Sequence, residues 1–264
     1  MTLRTFSNGG GVQSTAALVL AARGDIDFRT FIHANVGDDS ENPATIAYLR
    51  DVHIPYAAAH GITMVEVCYI KRDKSQPTLL QRVNHGSQRT IPIPVRMANG
   101  APGNRSCTSD YKITPIAKWQ KRNGATAANQ ATTGLGISLD EFQRMRTSSG
   151  IAWQRLEYPL IDLRLSRDDC KRIIAAAGLP PAPKSACWFC PFHRRKDWQE
   201  MHDNEPSLFA QSVDLERLIN VRRATLKKDN VYLTPYNMPL DAVIVGHQAV
   251  MLDDDNCESG YCHS

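Results

Sequence analysis

No apolar run in this 264-residue chain approaches the roughly 18 to 20 residues that a membrane-spanning helix needs, so no membrane partner is expected. The opening residues hold a strand-like stretch and no long apolar segment. Neither a secretory nor a lipidation signal is therefore expected, and the expected location is cytoplasmic. Internal repeats and low-complexity stretches are also missing, which excludes a solenoid and a compositionally disordered tract. So is a strong excess of one charge. With 31 basic and 27 acidic residues the chain carries +4, which permits a nucleotide or nucleic-acid partner without requiring one.

What is present suits one large α/β domain, alone or with a substantial C-terminal extension. A hydrophobic content of 42% with 22% charge is that of an ordinary soluble globular protein able to bury a core without staples. Seven cysteines in a cytoplasmic chain point away from disulfides and, where closely spaced, towards metal or redox chemistry.

The first half alternates strand and helix patterns. Leu3 to Phe6 reads as a strand, Gln13 to Arg23 as a helix and Arg29 to Asn35 as a second strand. A helix opens at Asn42-Pro43 and runs to Ala59, and Thr63 to Tyr69 is a third strand. Residues 71 to 106 are irregular, with Pro77, Pro92, Pro94 and Pro102, as a functional or partly disordered loop would be. Helix Cys107 to Arg122, strand Ala128 to Gly134, short helix Leu139 to Met145, strand Trp153 to Leu160 and helix Arg167 to Ala177 follow. This alternation predicts a parallel twisted sheet flanked by helices, with ligands at the carboxyl ends of its strands. From Pro180 the pattern turns to a Pro-rich loop, Cys-x-x-Cys and amphipathic helices. The expected division is a nucleotide-binding α/β domain over 1–180 and a cysteine-bearing helical extension over 181–264.

The segment Thr5-Phe6-Ser7-Asn8-Gly9-Gly10-Gly11-Val12-Gln13-Ser14-Thr15 carries a strand through three glycines into a helix. Such a loop brings backbone N–H groups against an anion, and the helix N-terminus adds partial positive charge. A triple glycine also serves as a plain flexible turn. The segment Asn35-Val36-Gly37-Asp38-Asp39, after the second strand, falls on the same rim of the predicted sheet.

Cys187-Trp188-Phe189-Cys190 spaces two thiols for one metal or one cluster face. It also fits a redox dithiol or two unrelated buried thiols. Cys107 opens a predicted helix, and the chain closes with Cys257 and Cys262-His263. Cys68, ending an apolar strand, and Cys170, within a helix pattern, read as core thiols. Basic residues gather at His193-Arg194-Arg195-Lys196 and at Arg217, Arg222, Arg223, Lys227 and Lys228, as either a solvated helix face or a phosphate-binding one.

The N-terminal Ser7-x-Gly9-Gly10-Gly11-Val12-Gln13-Ser14-Thr15 resembles the PP-loop of the adenine-nucleotide α-hydrolase superfamily. Further segments resemble its phosphoadenosine phosphosulfate reductase-like branch, in order. They are His33 to Gly37 with Asn42-Pro43-Ala44-Thr45-x-x-Tyr48-Leu49, then Arg105-Ser106-Cys107-Thr108-x-x-Tyr111-Lys112-Ile113-x-Pro115, then Gly136-Ile137-Ser138-x-Asp140-Glu141-x-x-Arg144, and Tyr158 to Asp162. Together they span about residues 1 to 195.

The resemblance implies two chemistries. One is that of an ATP pyrophosphatase that adenylates a nucleic-acid oxygen and replaces it with sulfur, similar to the tRNA thiolases and the Dnd- and Ssp-type DNA phosphorothioation enzymes. It implies ATP with Mg²⁺, DNA or tRNA as substrate, a sulfur donor such as a cysteine desulfurase, and a possible homodimer. Gly9, Gly10, Gly11, Ser14 and Thr15, with Ser7, would cradle phosphate, and Asn35 and Gly136 would meet adenine or ribose. Arg105, Lys112 and Arg144 would carry phosphate charge, with Asp38 or Asp39 on Mg²⁺. The other chemistry is that of an adenylyl-sulfate reductase releasing sulfite, with Cys262 as nucleophile. The iron–sulfur members of the branch further imply Cys107, Cys187 and Cys190 as ligands of a [4Fe–4S] cluster, completed by Cys262 or Cys257, with zinc as the alternative. Val12-Gln13 stand where ATP-splitting loops typically carry Lys-Asp, a departure the reductases share. A non-catalytic nucleotide-binding metal or redox module is a third expectation.

Overall fold

The computed structural model describes residues 2–85 and 90–245. It divides into two compact units, one of residues 1–77 and 109–186, the other of 78–108 and 187–264.

The first unit is an α/β sandwich built on five parallel strands: β1 (Arg4–Asn8), β2 (Thr30–Asn35), β3 (Thr63–Cys68), β4 (Ala131–Leu135) and β5 (Gln154–Glu157). Their order is β3-β2-β1-β4-β5. After β3 the chain crosses back to the far side of β1, so the order reverses between β1 and β4. A crevice at the carboxyl ends of these two strands is where open parallel sheets take ligands.

Phe6, at the centre of β1, stands in register with Phe31 on one side and Gly134 on the other. Its ring lies 4.9 Å from that of Phe31 and edge-on to Phe28. A Cβ at Gly134 would lie 2.7 Å from the Phe6 ring, so glycine there makes room for the aromatic cluster. Helix α1 (Val12–Arg23) buries ten of its twelve residues against this layer and packs on α5 (Arg167–Ala176). α1 ends on Gly24 at φ 86°, a left-handed stop that an L side chain would resist.

The helix expected from Asn42 to Ala59 is one path in three pieces: α2 (Pro43–Tyr48), a π turn (Leu49–His53) and α3 (Ile54–Ala59). Asn42 caps it through Ala44 N (2.8 Å). The helix expected from Cys107 likewise contains a π turn (Ser109–Ile113) before α4 (Thr114–Arg122).

Two sequence expectations need correction here. The strand expected over Trp153–Leu160 stops at Glu157, and Pro159 opens a helical turn, Pro159–Asp162, instead. Proline has no N–H for a ladder and its fixed φ suits the first position of a helix. Cys68 is half-buried rather than core, because β3 is the sheet edge; its thiol donates to Gln76 Oε1 (3.2 Å). Cys170 is fully buried, as expected.

The second unit is mainly helical. It holds α6 (Arg195–Asn204) and α7 (Pro206–Thr225), with a two-residue antiparallel pairing of Arg96–Met97 with Val231–Tyr232. The stretch 71–106, read as irregular, contains a short helix, Leu79–Asn84, behind a capping box of Thr78 and Gln81. The Glu216 carboxylate on α7 is buried and accepts the Leu233 and Leu240 amides at 2.6 and 2.9 Å. Among the described residues no helix is long and apolar enough to cross a membrane.

Candidate functional site

The glycine loop leaves β1 at Asn8 and enters α1 at Gly11, beside the reversal of strand order. Gly11 is the N-cap, and no side chain caps the helix there. The first-turn amides of α1 therefore have no intrahelical acceptor, and the helix dipole adds to them a seat for an anion. Gly10 sits at φ 77°, and a Cβ on it would lie 3.0 Å from Leu49 and Thr45, so only glycine lets the loop lie this close to α2.

The loop rests on a buried relay whose proton positions follow from its partners. Asn8 Oδ1 accepts the Gly10 amide (3.1 Å), which turns Asn8 Nδ2 towards His53 Nδ1 (3.0 Å). Nδ1 must then be the acceptor and Nε2 carry the proton. His53 Nε2 donates to Thr15 Oγ1 (2.8 Å), and that hydroxyl donates to the Gly11 carbonyl (3.0 Å). His53 is fully buried, and burial first, then the nearby His33, pull its pKa down to about 4. Protonation would also set Nδ1–H against the Asn8 amide. Thr15 thus supports the loop from inside, and Ser14 Oγ accepts the Gly9 amide (3.0 Å).

His33, on β2, donates from Nδ1 to the Asn8 carbonyl (3.1 Å). Its buried Nε2 has no partner, nor has the buried Oε1 of Glu41. Burial depresses the His33 pKa chiefly, with Glu41 and Lys112 among the charges that reach it.

Gly136 follows β4, and a Cβ on it would lie 3.3 Å from Gln13 Cβ, which puts it against the first turn of α1. Gln13 is buried and held from both ends of its amide. Nε2 reaches Ser138 Oγ (3.3 Å) and Glu141 Oε2 (3.4 Å), while Oε1 accepts from Arg167 (3.1 Å). Arg144 pairs with Glu141 (2.8 Å). Gln13 therefore ties the third predicted segment to the loop, a role that its place opposite the usual loop aspartate gave no hint of.

Ser7 lies within β1, between Ile32 and Leu135. Asn35 is spent on its own turn, donating to Asp38 Oδ1 (3.0 Å) and accepting the Gly37 amide (2.7 Å). The Asn35 bond, with the Arg50 guanidinium paired to the same carboxylate, holds the Asp38 pKa below its ordinary value. Asp39 accepts from the Ser40 hydroxyl (2.8 Å). Lys112 is half-buried in the π turn before α4.

The sequence reading named Asn8 and Gln13 within the loop without giving either a supporting role, and it gave none to His53 or Ser185. Ser185 Oγ donates to the Gly9 carbonyl, and a Cβ on Gly11 would lie 3.3 Å from its own Cβ. Its segment is tied alongside α2 by Tyr48 to Pro180 O (2.7 Å) and Asn42 N to Ala186 O (3.1 Å).

Arg105, Cys107, Cys187 and Cys190 belong to the second unit. Arg105 lies over the Phe192 ring, 4.9 Å from its centroid. Cys187 and Cys190 flank a turn closed by Cys190 N to Cys187 O (3.0 Å), and the Cys107 amide donates to Pro92 O (2.8 Å). None of the three is in a disulfide. Among the described residues no group of three or more His, Cys, Asp or Glu side chains is placed to hold a metal ion. Cys257 and Cys262 lie outside the described residues.

The chain matches no protein-family model and no curated protein. Its parallel-sheet α/β architecture is compatible with an adenine-nucleotide α-hydrolase-like domain.

Proposed function

We propose that the chain is a PP-loop ATP pyrophosphatase of the phosphoadenosine phosphosulfate reductase-like branch that transfers sulfur to a nucleic acid. The observation that carries this reading is the Asn8–Gly11 loop at an uncapped helix N-terminus, beside the β1/β4 reversal. That is the position at which a parallel sheet binds a nucleotide phosphate.

In this reading a nucleic-acid oxygen attacks the α-phosphorus of ATP, and the α–β P–O bond breaks to release pyrophosphate. Sulfur from a donor then attacks the adenylated centre, and AMP leaves with the original oxygen. The chain's part is to hold the phosphate on the Gly11–Ser14 amides and to supply charge from Lys112 and Arg144 in place of the loop lysine. Bound Mg²⁺ would neutralise the triphosphate further, with Asp38 or Asp39 as ligand. A [4Fe–4S] cluster requires four ligands. Of the expected ligands the described residues include Cys107, Cys187 and Cys190 but no assembled metal group, so the fit is incomplete and no step is drawn through a cluster.

Equilibrium binding tests the nucleotide. Mg-ATP should bind, and Lys112→Gln should weaken it roughly tenfold, the loss of one charge-assisted contact. Binding of adenylyl sulfate with no measurable affinity for ATP would overturn the reading. That result would favour the adenylyl-sulfate reductase, which the Val12-Gln13 departure already suits.

A further inference from the structure

Two short stretches of the first unit carry an exposed apolar patch beside the glycine loop. One is the 3₁₀ helix Leu139–Arg144, kinked at Glu141, whose residues divide at a spacing of three. Ser138 and Glu141 reach Gln13 on the first turn of α1, and Arg144 pairs with Glu141. Leu139, Phe142 and Met145, at the same spacing one position on, are exposed, Phe142 by 63%. The other stretch holds Leu163, also exposed, and is laid alongside by the Leu139 amide donating to the Leu165 carbonyl (2.8 Å). Four of the ten large hydrophobic side chains exposed among the described residues therefore stand together here. Scattered singly they would need no account, but gathered beside a candidate site they mark a surface that something covers.

Arginine rims the patch. Arg146 and Arg164 are exposed, and neither has an ion-pair partner among the described residues. Residues 139–146 and 161–167 hold four arginines against three carboxylates. Of those carboxylates, Glu141 is paired with Arg144 and Asp140 accepts the Arg167 amide (2.8 Å). Arg164 also stands at φ 55°, a left-handed conformation that glycine or asparagine would adopt at lower cost. Its charge is thus carried at a position where local structure disfavours it.

In the sulfurtransferase reading, an oxygen of the polymer must reach the α-phosphorus of a nucleotide seated at the N-terminus of α1. The nucleic acid then lies along that rim, and Gln13 joins the patch to the same helical turn. An exposed aromatic ring offers a π-face to any unpaired base, and unpaired guanidiniums offer charge to the phosphates on either side of it. We propose that Phe142 is a stacking platform for an unpaired base of the nucleic-acid substrate, with Arg146 and Arg164 on the adjoining backbone. The proposal rests on the sulfurtransferase reading for its choice of partner. A second copy of the chain or another protein would cover the same apolar area without needing an aromatic ring.

The test is fluorescence anisotropy of labelled oligonucleotides with the full-length protein, without ATP or sulfide. Single-stranded DNA, single-stranded RNA and a duplex form its arms; one or both single strands should bind more tightly than the duplex, and the tighter of them identifies the polymer. Phe142→Ala and Phe142→Leu should each weaken that binding roughly tenfold, the loss of one stacked base, whereas Phe142→Trp should match or exceed the parent. Because the ring is largely exposed, all three variants should keep the parent's thermal midpoint. Val221→Ala, an apolar truncation at a 64% exposed position on α7 in the second unit, should leave binding unchanged. Arg164→Asn should weaken binding about threefold and lower the slope of log affinity against log salt by about 0.7, with no loss of stability. Parent-like affinity in Phe142→Leu overturns the proposal, as does duplex binding equal to that of the single strands, or no binding of any oligonucleotide. Self-association of the parent that Phe142→Ala abolishes would overturn it in favour of a second copy. Phe142-dependent binding with no pyrophosphate release from Mg-ATP would leave the platform standing and remove the transferase reading. Sulfur transfer with an unchanged KM for nucleic acid in Phe142→Ala would do the reverse.

Discussion

At the scale of single residues, His53 shows how a buried side chain sets the shape of a loop it is not part of. It accepts from Asn8 and donates to Thr15, and both of those hold glycine-loop backbone. Its folded pKa of about 4 lies below the ordinary 6.5. Between these values the unfolded chain binds more protons, so stability is full above pH 6.5 and falls as the pH drops towards 4. The contribution is on the order of 3 kcal/mol across that window. Urea denaturation at pH 7 and pH 4.5 checks it. His53→Gln should be less stable than the parent at pH 7 and should lose less stability than the parent on acidification. An equal loss in both proteins would remove His53 as the source. None of this was legible beforehand. His53 lies 45 residues from Asn8 and 38 from Thr15 in sequence, and a lone histidine in a helix pattern carries no sign of its partners. The glycines were legible because backbone freedom is written locally.

At the scale of elements, the site is set by what strands and helices do at their ends. The alternation of strand and helix patterns announced β1, α1 and β2. It misplaced the end of β5, where Pro159 turned a continuing apolar pattern into a helical turn. It also passed over the helix at Leu79, whose Thr78 and Gln81 box was present in a segment dominated by prolines. The π turns at Leu49–His53 and Ser109–Ile113 were invisible because tertiary contacts, such as the His53 bonds, determine them. The close approach of α2 to the loop makes a direct prediction. Gly10→Ala adds a left-handed penalty of about 1 to 2 kcal/mol and crowds Leu49 and Thr45, so it should lower the unfolding free energy by about 2 kcal/mol or more. It should also weaken nucleotide binding. A parent-like thermal midpoint and affinity would show that the loop tolerates a side chain.

At the scale of the whole molecule, the residues singled out in the sequence fall in two units. The first holds the glycine loop, Gln13, Lys112 and Arg144; the second holds Arg105, Cys107, Cys187 and Cys190. The sequence suggested a simple N-terminal and C-terminal division, whereas residues 78–108 join the later segment. Only long-range contacts, such as Arg222 with Val83, make that visible. The second unit depends on Glu216, whose pKa is raised mainly by burial. Such a group favours the folded state fully below its unfolded pKa, and that part is lost as the pH rises through the folded value. The two backbone amides it accepts still make the carboxylate necessary. Glu216→Ala leaves both unpaired and should cost about 3 kcal/mol in the unfolding of this unit, read by urea titration of its tryptophans, Trp188 and Trp198. A midpoint unchanged from the parent would refute that role.

The central claim is that the glycine loop serves nucleotide activation of a nucleic acid, and anaerobic turnover measures it most directly. Protein, Mg-ATP, nucleic acid and a sulfide donor are combined, and pyrophosphate and sulfur in the polymer are quantified together. The account predicts one pyrophosphate for each sulfur incorporated, with neither product formed when nucleic acid is omitted. Sulfite released from an adenylyl sulfate, with no pyrophosphate formed from ATP, would contradict it.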